Sequence, residues 1–215
     1  MMQGLAEIPM FPLGWPFMPT ERVVLQVFEP RYIAMVREIE SRPLEDGNVF
    51  GTVMIERGSE VGGCEVRGTH GVLIGIDRIR WAGMHRAAIV GFARNVIEVL
   101  NWRTDDPYPK AVVELSPWIT EGLDGPAAIA FVSAADAVRE LRTAAFAAGA
   151  ALDPTLEVGG TLAGTSETVW ALCTAAPLGE HDRYRLLCES DATDRLRILE
   201  LMCRQRIEMY RFGSM

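Results

Sequence analysis

Pro9, Pro12, Pro16 and Pro19 crowd one short stretch, IPMFPLGWPFMP, near the start of the chain. A backbone missing those amide donors cannot run through the middle of a sheet, so any strand here is short or lies at an edge, and it breaks at Gly14. Val23, Val24, Leu25 and Val27 follow with the dense β-branched and apolar content of a better-buried strand. Pro30 then suits the first position of a helix, where a missing amide costs nothing, and Glu29 places a carboxylate at the positive helix end. Tyr32, Met35, Val36 and Ile39 recur at i, i+3, i+4 and i+7, which predicts one apolar helix face over Pro30–Glu40.

Beyond this helix the text reads as short β runs separated by Gly, Pro and Asp: Val49–Glu56, Val72–Trp81, Arg86–Leu100 and Lys110–Leu115. Non-local strand pairing around a single helix suits a small closed or nearly closed sheet, which hides its edges. The composition shifts at Thr120–Pro126, TEGLDGP, and turns alanine-rich with helical periodicity. Phe131, Ala134, Val138, Leu141 and Ala145 make one stripe, opened by Pro126 and closed by Gly149. Shorter helices are predicted over Thr168–Ala175 and Glu180–Cys188, and a long one from Asp191 to about Arg211. Ser190 or Asp191 caps the last helix, with Leu196, Leu199, Cys203, Ile207 and Tyr210 on one face, widened by Leu201 and Met202. Two domains are expected, 1–120 and 126–212, the second a bundle because such short helices are marginal alone.

Several motifs carry a resemblance. PMFPLG at Pro9–Gly14, FEPRY at Phe28–Tyr32 with Met35 behind it, FGTVMIERGSEVGG at Phe50–Gly63, the strand text Ile97–Leu100 and DDPYP at Asp105–Pro109 together resemble the Lon N-terminal domain. That domain is the substrate-binding module ahead of the ATPase and protease parts of Lon proteases. The resemblance covers roughly the first 115 residues, and APLGEHDRYRLL with DRLRILELM is similar to the helical tail that follows in such domains. It implies an α+β fold: a PUA-like β pseudo-barrel with one internal helix, then a C-terminal helical bundle. Two positions depart from the family's usual text, Gln26 for a histidine and Val24 for a proline.

Lys110 is the only lysine, and Ala111 follows it, so the Lys-Ser/Thr pair of a phosphate-binding loop is missing. A Ser-Lys peptidase dyad would need Lys110 as base, in a segment without a nucleophile loop. The expectation is therefore a non-catalytic chain without cofactor. His70, His85 and His181 stand apart, and Cys64, Cys173, Cys188 and Cys203 stand singly, so no metal site is expected. No run approaches the ~20 apolar residues of a membrane span, and the N-terminus has no signal-peptide pattern, which points to the cytoplasm. The net charge is −8 and the arginines are interspersed with carboxylates, which argues against nucleic acid. The nearest basic patch is Arg78, Arg80 and Arg86 with Trp81 and His85.

Three groups are candidates for contact with a partner. The loop RGSEVGG offers Glu56, Arg57, Ser59 and Glu60 among Gly58, Gly62 and Gly63, either as a hairpin connection or as a recognition loop. In FEPRY, Glu29, Arg31 and Tyr32 either define the strand-to-helix corner or touch a ligand, and Arg31 can pair with Glu29. Trp15, Phe17 and Met18 form an apolar tip that either covers the barrel end or meets a partner. The resemblance implies binding of unfolded or flexible protein segments. The alternative is a small-ligand sensor or enzyme using the 57–63 loop and an inter-domain cleft. RNA binding is a third option.

Overall fold

In the computed structural model, which describes residues 5–43, 48–60, 65–117, 122–154, 156, 158 and 165–213, the first strand stops at its first proline. β1 (Leu5–Pro9) pairs antiparallel with β6 (Lys110–Leu115), Leu5 opposite Glu114 and Pro9 opposite Lys110. From Met10 the chain leaves that ladder and runs beside β3 (Val49–Arg57), with isolated parallel bridges Met10 to Gly51 and Leu13 to Met54. The Phe11 amide donates to the Gly51 carbonyl at 2.8 Å and the Leu13 amide to Val53 at 3.0 Å. Strand alternation turns Pro12 away from β3, where its missing donor is not needed.

Among the described residues β2 (Arg22–Val27) pairs only with the first half of β5 (Ala87–Trp102). It is less buried than its apolar content predicts. Val23 and Val27 are buried but Val24 is 51% exposed, because one face of the strand meets the core and the other meets solvent. α1 (Pro30–Ser41) starts on the Glu29 cap with Pro30 in its first turn, and buries Tyr32, Ile33, Met35, Val36 and Ile39.

β4 (Val66–Trp81) begins six residues before the predicted Val72, since the polar text VRGTHG pairs back onto β3. The six-stranded antiparallel sheet runs β1-β6-β5-β4-β3, with β2 attached to β5. As a strand ladder it is open, and its end strands β1 and β3 are linked by the strap 10–13. Ile8, Met10, Val53, Leu73, Ile97 and Val113 fill the core beneath it. Gly71 is fixed by packing, because a Cβ there would fall 1.8 Å from the Thr52 carbonyl oxygen.

The chain divides into two compact units, Met1–Pro117 and Trp118–Met215. In the second, α2 (Gly125–Ala147) buries the predicted stripe Phe131, Ala134, Val138, Leu141 and Ala145, and Gly149 follows at φ 86°. α3 (Ser166–Ala175) and α4 (Glu180–Cys188) lead to α5 (Ala192–Gly213), which packs along α2. Asp191 is the cap of α5, accepting from the Asp194 amide at 2.9 Å. Leu196, Leu199, Met202, Cys203 and Ile207 are buried, whereas Leu201 is half exposed and lies outside the stripe. Arg195 is buried among α3, α4 and α5. It lies over the Trp170 ring at 4.1 Å and donates to the carbonyls of Leu186 and Glu189 at the end of α4.

Candidate binding site

FEPRY, RGSE and the proline-rich opening are far apart in sequence, and the fold brings them to one corner. Arg31, in the first turn of α1, donates from Nε to Glu29 at 3.2 Å and lies over the Tyr32 ring at 4.5 Å. Its second nitrogen donates to the Glu60 carbonyl at 3.3 Å. The Glu60 carboxylate in turn accepts from the Gly14 amide. Glu60 thus ties the β3–β4 connection to the residue preceding Trp15, which is 42% exposed.

Of the three tip residues, Trp15 is exposed and Phe17 is half-buried. Met18 is fully buried, which corrects its assignment as a surface contact. The turn after it is tight: the Met18 amide donates to the Glu21 carboxylate at 2.6 Å, and Thr20 adopts φ 76°. A β-branched residue in the left-handed region is strained, and here the strain sets the direction in which the chain enters β2.

Tyr32 is also buried, stacked on Phe11 at 3.9 Å between ring centres. Desolvation pushes its hydroxyl pKa well above the ordinary tyrosine value, and the neighbouring Arg31 only partly offsets this. Tyr32 therefore anchors the corner from inside, leaving Arg31 as its polar surface. Glu56, Arg57 and Ser59 are exposed on the β3 end and the loop. Gly58 has φ 114°, and a Cβ there would sit 3.0 Å from the Glu65 Cα, so glycine is required by both conformation and space. Gly62 and Gly63 lie outside the described residues.

Sequence reasoning missed the layer under this loop. Arg67 pairs with Glu65 at 2.8 Å and with Asp105 at 2.5 Å, and lies over Trp102 at 4.5 Å. The Glu65 side chain is almost wholly buried, and its second oxygen has no hydrogen-bond partner. Asp105 reads in sequence as a turn residue of DDPYP, and nothing local announces a partner 38 residues earlier. These carboxylates are held by arginines and an amide. Such an arrangement keeps three segments in register beside Trp15.

The helical unit offers a groove of about 260 Å³ lined by Glu140, Arg204, Ile207 and Arg211, crossed by ion pairs from Arg211 to Glu140 and Glu208. Cys173 and Cys203 are buried, and desolvation pushes both thiols up to about 12, so they pack as small hydrophobes. Cys188 is exposed, and Cys64 lies outside the described residues. No helix among the described residues is long and apolar enough to cross a membrane.

An antiparallel sheet with one internal helix, a glycine-bearing loop pinned to an aromatic tip, and a separate unit of helices make this an α+β chain of two compact units. The family model of the ATP-dependent protease La (LON) substrate-binding domain matches residues 7–204, and the chain belongs to that family. The match takes in the helical unit as well as the sheet. Similar solved structures include a Lon N-terminal domain protein from Xanthomonas campestris, with 21% identity, a TM-score of 0.64, and coverage of 90% of this chain and 96% of that one. The N-terminal domain of a Mycobacterium avium complex Lon protease has 15% identity and a TM-score of 0.59, covering 93% and 98%. At these identities the likeness is one of fold. No curated protein matches the chain in sequence.

Proposed function

We propose that this chain is a non-catalytic module that holds unfolded or flexible segments of other proteins, and that its contact point is the Trp15 corner. Membership of a substrate-binding family supports the general role. The observation that carries the location is Trp15, exposed yet held in place through Gly14, Glu60 and Arg31. A large aromatic side chain displayed on a rigid frame loses little entropy on binding, the usual property of an interface anchor. Phe17 extends the apolar contact. Glu29, Arg31, Tyr32 and the loop Glu56, Arg57, Ser59 and Glu60 form the frame and polar rim. The sheet serves as a PUA-like pseudo-barrel and the second unit as a helical bundle domain, a reading supported by the strap 10–13 along β3 and the packed α2–α5 pair.

The test is fluorescence anisotropy with a labelled, reduced and carbamidomethylated polypeptide that cannot fold. Trp15→Ala is expected to weaken binding by about tenfold, the ~1.4 kcal/mol of a moderate anchor, and Phe17→Ala by less. Unchanged affinity in both variants would place the contact elsewhere.

A further inference from the structure

β2 leaves a backbone edge open. The Ala93 amide donates to the Glu21 carbonyl at 2.8 Å, and the register from Arg22 opposite Phe92 to Val27 opposite Ala87 is unbroken. Antiparallel alternation then gives Val23, Leu25 and Val27 their bonds to β5 and turns the N–H and C=O of Arg22, Val24 and Gln26 outward. Among the described residues β2 pairs with no other strand. Elsewhere the sheet is guarded: β1 ends in Pro9, and the strap 10–13 is hydrogen-bonded along β3. β2 has no proline, lysine or bulge.

The side chains beside this edge point to the occupant. Val24, Val90 and Arg78 lie in one row across the sheet, with Arg22 and Phe92 in the next and Arg80 in a third, all on the solvent face. Arg94 shares that face, because a Cβ on Gly75, opposite Phe92, would meet its guanidinium at 2.1 Å. None of these four arginines is paired with a carboxylate among the described residues, in a chain with 29 acidic side chains and a net charge of −8.

We propose that β2 receives an extended acidic polypeptide segment as an added strand, its backbone bonded to Arg22, Val24 and Gln26, its carboxylates beside Arg22 and drawn by the positive field of Arg94, Arg78 and Arg80 on the two strands behind. Alternation in such a strand puts acidic groups on the same face as the arginines and apolar groups toward the core side. Nucleic acid would satisfy the arginines but not the row of amides and carbonyls. A second copy of β2 would satisfy the row but brings no carboxylate between Arg22 and Val27, leaving the arginines uncompensated.

The probe is a fluorescent peptide of alternating valine and glutamate, titrated by anisotropy. Wild type is expected to bind it and to lose affinity as salt rises. Val24→Pro removes an outward amide and no bond to β5, and is expected to weaken binding by about tenfold or more, whereas Val24→Thr keeps the amide and stays within about threefold. Arg22→Gln should weaken it by about threefold or more, and Arg78→Gln with Arg80→Gln, acting at longer range, by less, each with a shallower salt dependence. A peptide N-methylated at alternate residues reports on backbone pairing without altering the protein, and is expected not to bind. Any of four results overturns the proposal: binding of the N-methylated peptide equal to the parent, tighter binding of a single-stranded RNA, a dimer in sedimentation that Val24→Pro dissociates, or loss of peptide binding in Trp15→Ala with Val24→Pro silent. The last would assign the peptide to the Trp15 corner, while loss in Val24→Pro alone leaves the corner's own test unaffected.

Discussion

The two units use arginine in opposite ways. In the helical unit Arg139, Arg197, Arg204 and Arg211 each meet a carboxylate one turn away, at Asp136, Asp194, Glu200 and Glu208. Arg195 is spent on backbone carbonyls in the interior. In the β unit Arg31 and Arg67 cross-link distant segments, while Arg22, Arg78, Arg80 and Arg94 stand without such partners among the described residues on an open sheet face. A helix supplies neighbours at i+3 and i+4, so its charges are neutralised locally. A sheet face depends on what the next strand brings, and where no strand follows, charge and backbone remain available to another molecule.

The sharpest way to break this comparison is to remove an arginine that the helical unit keeps for itself. Arg195→Ala leaves two carbonyls at the end of α4 and the Trp170 face without their cation, and is expected to cost about 3 kcal/mol in urea unfolding. A loss below about 1 kcal/mol would mean the buried guanidinium contributes little beyond its own desolvation cost.

Asp191 comes next. Asp191→Ala removes the α5 cap and is expected to destabilise by about 1 kcal/mol. The Asp194 amide holds the Asp191 carboxyl below the ordinary 3.8, so its contribution is complete above that value and is lost as pH falls through the lower, folded-state pKa. The gap between wild type and Asp191→Ala should therefore narrow in melts recorded progressively below pH 4. A gap that persists at the lowest pH would show that the cap does not act through its charge.

The smallest effects separate the units most cleanly. Arg204→Ala breaks a surface i, i+4 pair and should cost about 0.3 to 0.5 kcal/mol. Arg78→Gln and Arg80→Gln are expected to leave the melting temperature unchanged, because neither cation supports the fold. A measurable loss there would give the open face a structural role and erase the contrast.

Much of this was written locally. The prolines marked a short edge strand, although β1 ends at Pro9 and not at the expected break, Gly14; FEPRY placed α1, and the 3.6-residue stripes placed α2 and α5, because each signal lies within a few residues of the structure it specifies. Met18 was misplaced because proline-rich text does not show which side faces in. Val24 was taken as buried because a run of β-branched residues does not reveal whether a second layer covers it. The ties from Glu60 to Gly14 and from Arg67 to Asp105 span 46 and 38 residues, and no periodicity carries such distances. They exist only once the strands pair. The candidate site was thus legible as residue types but not as a place.

Hydrogen exchange read residue by residue, with and without the unfolded polypeptide, tests most directly whether recognition belongs to the β unit. Protection is expected at Trp15, Phe17 and the 56–60 loop, and at the outward amides of Arg22, Val24 and Gln26 when the bound segment is acidic, with α2 to α5 unchanged. Protection confined to the helices of residues 125–213, with the corner and β2 exchanging as in the free protein, would contradict the account.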